Sequence, residues 1–498
     1  MKQKLLLGYD VGSSSVKASL LDADSGKLIA SDYSPKQEMK IDSPQSGWAE
    51  QHPDIWWLNL VTATKNILAQ LHNSDYEILA IGISYQMHGL VIVDKDFKVL
   101  YPSIIWCDSR AVEIGEKAFN NLGKEFCLKH FLNSPGNFTA SKARWVKENL
   151  NDTFSKVYKI MLPGDYIAYK LSGEINTTIP GLSEGILWDF SNHSIAKSLL
   201  EYYGLDENLI PELVDTFSNQ SSLSESAGKE LGLKPGIPIS YRSGDQPNNA
   251  FSLNVLNPGE IAATAGTSGV IYGIASNNVS DKLNRINSFA HINYSISNPK
   301  IGALLCINGT GILYSWLKQN LLNNSFNYDE MNKIAASAEI GSEDLFCYPF
   351  GNGAERMLLE KNIGAQFSNI NFNIHKKEQI IRSAQEGIAF AFRYGLDIMN
   401  ELGIEVSVIK AGNSNLFQSS VFKEAFVNAC NVDLDIFNTD GSQGAARGAG
   451  IGIGYYNFSN AFIGLSKIYT LKKEESLINK YESIYQKWKH NLQRIIKI

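Results

Sequence analysis

Two short turns in this chain combine glycine with hydroxyl side chains. The first is Asp10-Val11-Gly12-Ser13-Ser14-Ser15-Val16 and the second is Thr264-Ala265-Gly266-Thr267-Ser268-Gly269-Val270. Strand-like runs stand before and after each, so each reads as a hairpin. The tip of such a hairpin can aim backbone N–H groups and hydroxyls at a phosphate. One turn in each half predicts two lobes gripping a single polyphosphate from both sides. In the first turn Asp10 is suited to Mg²⁺ held through water, since Mg²⁺ keeps much of its hydration and takes few carboxylates. Gly12 would let the backbone approach a phosphate. The competing reading is an ordinary hairpin with solvated hydroxyls.

Other residue groups could complete a site. Ser243-Gly244-Asp245 follows a strand-like run, and a carboxylate there could take a proton from a sugar hydroxyl as it attacks phosphorus. Asp245 could equally cap the helix that begins near Pro247. Gln86-Met87-His88-Gly89 connects two strands. There Met87 offers an apolar wall and His88 a hydrogen bond to a polyol, or the histidine is simply buried in a turn. In Trp106-Cys107-Asp108-Ser109-Arg110 the indole can stack on a sugar's C–H face, and Asp108 and Arg110 can bond its hydroxyls. An internal ion pair beside a core aromatic is the other reading. Gly412-Asn413-Ser414-Asn415 lies between a strand and a helix, so its N–H groups can face a nucleotide, or it is a plain capped turn. Gly448-Ala449-Gly450-Ile451-Gly452 does not follow a strand, so close helix packing explains it better than a dinucleotide fingerprint.

The elements that must position these residues read as a mixture of strands and helices. Strands are expected at 4–9, 16–22 and 27–33, then a helix over 53–72 with Pro53 in its first turn. Strands follow at 78–84 and 237–241, with a linker at 256–259 and a second hairpin at 260–275. The clearest helical spacing runs over 377–399, followed by a strand at 406–410 and a helix at 416–428. The Lys/Glu-rich stretch 470–498 reads as a surface helix. With 498 residues the chain exceeds one ordinary core, and two large α/β domains are expected. A net charge of -6 without a basic tract argues against nucleic acid as partner. No apolar run approaches the ~20 residues that span a bilayer, so no membrane partner is expected. Five scattered cysteines without a CxxC pair, and no signal-peptide pattern, fit reduced thiols and a cytoplasmic protein.

Taken in order, these residues resemble the FGGY carbohydrate kinases. The first phosphate motif of that family matches Asp10 to Lys17, and its Trp-x-Glu-Gln stretch matches Trp48-Ala49-Glu50-Gln51. Gln86-Met87-His88-Gly89, Trp106 to Arg110, Leu162-Pro163-Gly164-Asp165-Tyr166, Gly244-Asp245, Gly266-Thr267-Ser268-Gly269, Glu386-Gly387 and Gly444-Ala445-Ala446 continue the match. The resemblance implies two actin-like (ribonuclease H-like) α/β domains closing over an interdomain cleft. It places an N-terminal sugar-binding domain over 1–253, a C-terminal ATP-binding domain over 254–455 and a helical tail over 456–498. It implies ATP and Mg²⁺ as cofactors, and transfer of the γ-phosphate to the terminal hydroxyl of a ketopentose, D-xylulose before others. Ribulose, glycerol or gluconate are alternatives, and a non-sugar actin-like ATPase is the reading of another class. Asp245 would be the base, Met87, His88, Trp106, Asp108 and Arg110 would contact the sugar, and Asp10, with Asp245 as a second ligand, would organise the metal. Gly12, Ser13, Ser14, Lys17, Gly266, Thr267 and Ser268 would hold ATP phosphates, with Gly412, Asn413, Asn415 and Gly444 near adenosine. Small-molecule sugar and ATP are the expected partners, and a homodimer the expected assembly. Three departures from the family pattern stand out: Gln246 follows the base where the family usually has Asn, Ala411-Gly412-Asn413 replaces a run of glycines, and Gly353-Ala354-Glu355-Arg356-Met357 stands for Gly-Glu-Arg-Thr-Pro with Ala inserted and no Thr-Pro.

Overall fold

The computed structural model describes residues 2–71 and 75–497. The expected ends at Met1, His72 and Ile498 lie outside the described residues. The chain forms two compact α/β units. The first comprises Met1–Asn254, Phe289–Ile301 and Thr439–Leu465, and the second comprises Val255–Ser288, Gly302–Asn438 and Ser466–Ile498. These compact units cut across the contiguous division expected at 253/254: residues 289–301 and 439–455 pack with the first unit, and most of the tail with the second. No helix among the described residues is long and apolar enough to cross a membrane.

The first unit is built on a six-stranded sheet. β1 (Gln3–Val11), β2 (Val16–Asp22) and β3 (Leu28–Ser34) form an antiparallel meander. Tyr76–Tyr85 pairs parallel to β1, Pro238–Gly244 parallel to Tyr76–Tyr85, and Phe217–Ser222 antiparallel at the edge. β1 reads as a nearly continuous apolar run because both faces of the sheet are covered. Successive side chains on a strand point to opposite faces. Tyr9 turns to one face, where its hydroxyl meets Thr64 Oγ1 at 2.8 Å on the helix Asp54–Ala69. Gly8 turns to the other face and meets the helix Gly441–Gly452, to which the glycines of the sequence drew attention. A Cβ at Gly8 would lie 1.9 Å from the Ser442 carbonyl oxygen, and one at Gly82 would lie 2.0 Å from that of Ala445. The glycines on the helix side meet the same limit: a Cβ at Gly448 would fall 2.5 Å from the Tyr241 ring. Helix and sheet are thus in backbone contact, and the small residues exist for that contact.

The second unit repeats the plan. Its sheet runs Asn287–Ala290, Ile301–Ile307, Gly269–Ala275, Glu260–Ala265, Val408–Gly412, Leu434–Asn438, Ser466–Leu471. Glu260–Ala265 and Gly269–Ala275 are the expected hairpin, with Ala265 opposite Gly269, and Val408–Gly412 and Leu434–Asn438 add in parallel. The helix Lys377–Glu401 is longer than the 377–399 expected and is buried on every side from Ile381 to Phe392, with Ala384, Ile388, Ala391 and Met399 among its core residues. The expected helix over 416–428 is a short 3-10 turn, Asn415–Gln418, followed by Ser420–Cys430. The tail carries a strand the sequence did not reveal, Ser466–Leu471, and then the helix Glu475–Lys497. That helix is docked, not merely superficial: Tyr481, Tyr485, Trp488 and Leu492 are fully buried, and Trp488 donates to the Cys347 carbonyl at 2.8 Å.

The helix–sheet contact of the first unit makes a direct prediction. Gly82→Val should cost about 3 kcal/mol or abolish folding, since neither backbone can move aside. Leu58→Ala on the exposed face of Asp54–Ala69, where Leu58 is 63% exposed, should change stability by less than about 0.5 kcal/mol. Denaturant melts followed by tryptophan fluorescence compare the two, and equal midpoints would contradict the packing account.

Candidate active site

Asp10 lies near the end of β1 with its Oδ1 accepting from Ser84 Oγ at 2.8 Å on the neighbouring strand. Asp245 opens the helix Asp245–Ser252 directly after the strand Pro238–Gly244, with Gly244 in the cap position. Tyr76–Tyr85 lies between these two strands, so both carboxylates stand at the same end of the sheet. Each ionises against the other. Burial raises Asp10 above the ordinary aspartate range, and Asp440 raises it further. Burial, and then the charge of Asp10, pushes Asp245 up to about 7.

Asp440 is the charged neighbour of this site that sequence reasoning missed. It caps the helix Gly441–Gly452, accepting from Gln443 N at 3.1 Å and from Ser442 Oγ at 2.7 Å, and pairs with Lys17 Nζ at 3.4 Å. Burial works against its charge, but Lys17 and these hydrogen bonds hold it below the usual carboxylate range. An Asp three residues before Gln443, at the start of a small-residue helix, was the available signal. Lys17, expected at phosphates, here neutralises Asp440.

The first turn is tied down from several directions. Gly12 N donates to the Ser15 carbonyl at 3.0 Å, so that N–H is used inside the turn. Gln51 Nε2 donates to the Ser13 carbonyl at 2.7 Å, and Trp106 Nε1 to Ser13 Oγ at 3.3 Å. Ser14 remains exposed, as does the Trp106 ring.

Met87 and His88 follow the strand Tyr76–Tyr85. His88 sits at φ 62°, in the left-handed region where a non-glycine residue is strained. Two contacts hold it. Lys142 Nζ donates to its carbonyl at 2.8 Å, and its own Nδ1 lies 2.9 Å from the Glu184 carbonyl. A carbonyl only accepts, so Nδ1 carries a proton and donates to it. Phe138 and Phe289 stand against the ring at 4.8 and 5.2 Å between centroids. Lys142 also donates to the Ile105 carbonyl at 2.9 Å, joining the 86–89 and 105–110 segments, and burial pushes its amine down to about 7.

Asp108 and Arg110, expected to bond a sugar, are otherwise engaged. Arg110 pairs with Asp108 and with Glu50, each at 2.7 Å, and lies over the rings of Trp48 and Trp145 at 3.8 and 4.8 Å. Asp108 also accepts from Ala49 N at 2.6 Å. Both side chains are buried, so the correction is that they shape the site from inside, the internal ion pair left open by the sequence. The Trp-x-Glu-Gln stretch has the same use, since Glu50 holds Arg110 and Gln51 holds the first turn. Gly444 is corrected as well. It is buried in the first unit, where a Cβ would meet Ser252 at 2.8 Å, so it packs the Asp245–Ser252 helix and does not face adenosine.

In the second unit, the carbonyls of Gly266 and Thr267 accept from Thr310 Oγ1 at 2.9 and 3.1 Å, and Gly311 N also donates to Gly266 at 2.8 Å. Thr267 is left exposed with Ser268 half-buried beside it. Asn413, Ser414 and Asn415 are exposed, Asn415 at φ 53°. Asn415 Nδ2 lies 3.5 Å from where a Gly266 Cβ would sit, so this unit brings its turn and the 412–415 loop, including Gly412, together. Among the described residues no three His, Cys, Asp or Glu side chains converge on one metal position. The mutual repulsion of Asp10 and Asp245 nevertheless fits a hydrated divalent cation that needs only one or two carboxylates.

Comparison with known proteins agrees with this layout. Models of the FGGY family of carbohydrate kinases match residues 5–252 as its N-terminal domain and 261–452 as its C-terminal domain. A xylulose kinase of Haemophilus influenzae is 27% identical over 99% of this chain and 100% of its own length. Among solved structures, a xyloylose kinase from Brucella ovis (23% identity, 98% of both chains, TM-score 0.88) and a gluconate kinase from Lactobacillus acidophilus (20%, 99% and 98%, TM-score 0.90) share the fold. The chain belongs to the FGGY family of carbohydrate kinases.

Proposed function

We propose that this kinase transfers the γ-phosphate of ATP to the terminal hydroxyl of a ketopentose, D-xylulose before other acceptors. The observation that carries the reading is Asp245: a half-buried carboxylate that titrates at about 7, next to the charge of Asp10. A general base works best when its pKa lies near the working pH. The xylulose kinase relative over the full chain supports the acceptor, and the intact Met87-His88 pair supports a polyol against the apolar wall of Met87.

In this reading Asp245 takes the hydroxyl proton while His88 contacts the sugar beside it. Met87 and the exposed Trp106 ring bear on the sugar's C–H faces. Ser13, Ser14, Thr267 and Ser268 donate to phosphate oxygens. Gly412, Asn413 and Asn415 take the nucleoside side. Asp10, with Asp245 as a second ligand, would hold Mg²⁺, whose chemistry is neutralisation of the phosphate charge. Phosphoryl transfer depends on position and charge more than on covalent help.

Asp245→Asn should lower kcat by ~10² to 10⁴-fold while leaving nucleotide affinity close to the parent's. A coupled ADP assay over D-xylulose, D-ribulose, glycerol and gluconate, beside a no-sugar control, tests acceptor and base together. Parent-like turnover by the variant would remove Asp245 from the chemistry. ADP release that ignores every sugar would favour the actin-like ATPase.

The pH profile of the parent follows from the same residue. The base must be ionised, so kcat/KM for the sugar should rise with pH through an acid limb near 7. Stability should run the opposite way. A carboxyl raised in the fold is bound to its proton more tightly there than in the unfolded chain. Its stabilisation is full below about 4 and is lost as pH climbs to about 7. Asp245→Asn should therefore melt above the parent at pH 8, and the gap should close near pH 4. A constant gap would mean that Asp245 does not titrate in this window.

A further inference from the structure

Glu184, at the end of the helix Ile179–Glu184, has no part in the mechanism above. It is 1% exposed, and its Oε1 has no hydrogen-bond partner. Its position is close to the reacting base. A Cβ built on Gly244 would lie 2.4 Å from Glu184 Oε2 and 2.6 Å from Met87 Cγ. The carboxyl and the Met87 side chain therefore flank the same glycine, one residue before Asp245. The backbone of Glu184 is already committed to this neighbourhood, because its carbonyl holds His88 Nδ1. Gly244 is required here because any side chain would displace the carboxyl.

We propose that Glu184 is an acceptor-binding residue whose carboxylic O–H donates to an oxygen of the sugar held beside Met87 and His88. The inference rests on the carbohydrate-kinase reading and deepens it. It assigns the acceptor a hydrogen-bond-accepting oxygen, carbonyl or hydroxyl, on the side of Gly244. A buried carboxyl with an unpartnered oxygen is costly unless a ligand satisfies it.

The surroundings keep the proton on. Burial raises Glu184 well above the ordinary glutamate range, and the charges of Asp245 and Asp165 raise it further. The His88 backbone N–H and the Tyr85 hydroxyl, which both bond the carboxyl, oppose this. The remaining charged groups that face the cluster are Arg242, which bears on Tyr85 and pairs with Asp165 at 3.2 Å, and Lys142. The charge of Asp245 favours the neutral form of Glu184, so the two carboxyls bias each other toward opposite protonation states. This is the division of labour expected of two carboxyls in unequal environments.

The test compares Glu184→Gln and Glu184→Leu in the full-length enzyme with whichever sugar the parent phosphorylates best. Glu184→Leu should raise KM for that sugar at least tenfold and leave KM for ATP within twofold. Glu184→Gln, whose amide N–H replaces the O–H, should stay within about threefold of the parent on both and keep the acid limb of kcat/KM. Infrared difference spectra at pH 8 should show one protonated-carboxyl band in the parent that Glu184→Gln lacks, a readout independent of whether Glu184→Leu folds. An unchanged sugar KM in Glu184→Leu, equal damage from both variants, or no such band would overturn the proposal. A parent that prefers gluconate or glycerol over D-xylulose would sink the acceptor assignment of the previous section while leaving this comparison intact.

Discussion

The backbone contact between the helix Gly441–Gly452 and the central strands of the first unit governs the site. Gly8 and Gly82 leave no room for a Cβ, and the helix meets them with Ser442, Ala445 and Ala446. Because the helix cannot shift outward without losing that contact, its first turn is fixed against the end of β1. A Cβ at Gly441 would fall 2.5 Å from Asp10 Oδ2, so the helix start and the first carboxylate share one position. Asn248 Nδ2 donates to the Gly441 carbonyl at 2.8 Å, and a Cβ at Gly444 would press on Ser252. The helix that carries Asp245 is thereby pinned to the same turn. Three aspartates, Asp10, Asp245 and Asp440, are placed by one packing decision.

That placement explains why their ionisation differs. Asp440 has a cation and two local donors, and stays ionised. Asp10 has one hydroxyl donor and faces Asp440. Asp245 lacks a cation and faces Asp10, so it titrates near neutrality. The gradient runs from a carboxylate that serves structure to one free to exchange a proton, and it is set by partners rather than by burial alone. Behind it, cations are spent on geometry. Arg110 braces Glu50 and Asp108 between two indoles, and Lys142 holds two carbonyls, one of them on a strained His88.

Much of this was legible in the residues. Both hairpins, the long helix beginning at 377 and the meander of β1 to β3 follow from apolar runs and turn glycines, signals local to each segment. The small residues of 448–452 read correctly as close packing, because a glycine-rich fingerprint sits in the turn between a strand and a helix, and these lie within the helix Gly441–Gly452. What the sequence hid was long-range. That residues 439–465 return to the first unit depends on Gly8 and Gly82, more than 350 positions away in the chain, and no local pattern announces it. Gly444 was misassigned for the same reason. Asp108 and Arg110 have the types that bind sugars, and only the positions of Trp48, Trp145 and Glu50 show them to be consumed. Glu184 and Asp440 gave weak signals, since one carboxylate in a loop or at a cap looks like many others.

The two units share a strand order, yet they do not share chemistry. In each, a hairpin is followed across the sheet by parallel strands, and a tight turn of glycine and hydroxyl residues stands at the same place in the plan. The first turn is preceded by Asp10 and followed by Lys17, and helix and strand ends bring Asp440 and Asp245 to it. The second is preceded by Thr264, and its carbonyls are held by Thr310 and Gly311, neutral groups that fix shape without adding charge. One frame thus yields two turns of glycine and hydroxyl residues, of which the first has carboxylates and a lysine as neighbours. The fold supplies the repeated geometry, and the side chains at equivalent positions decide which copy reacts.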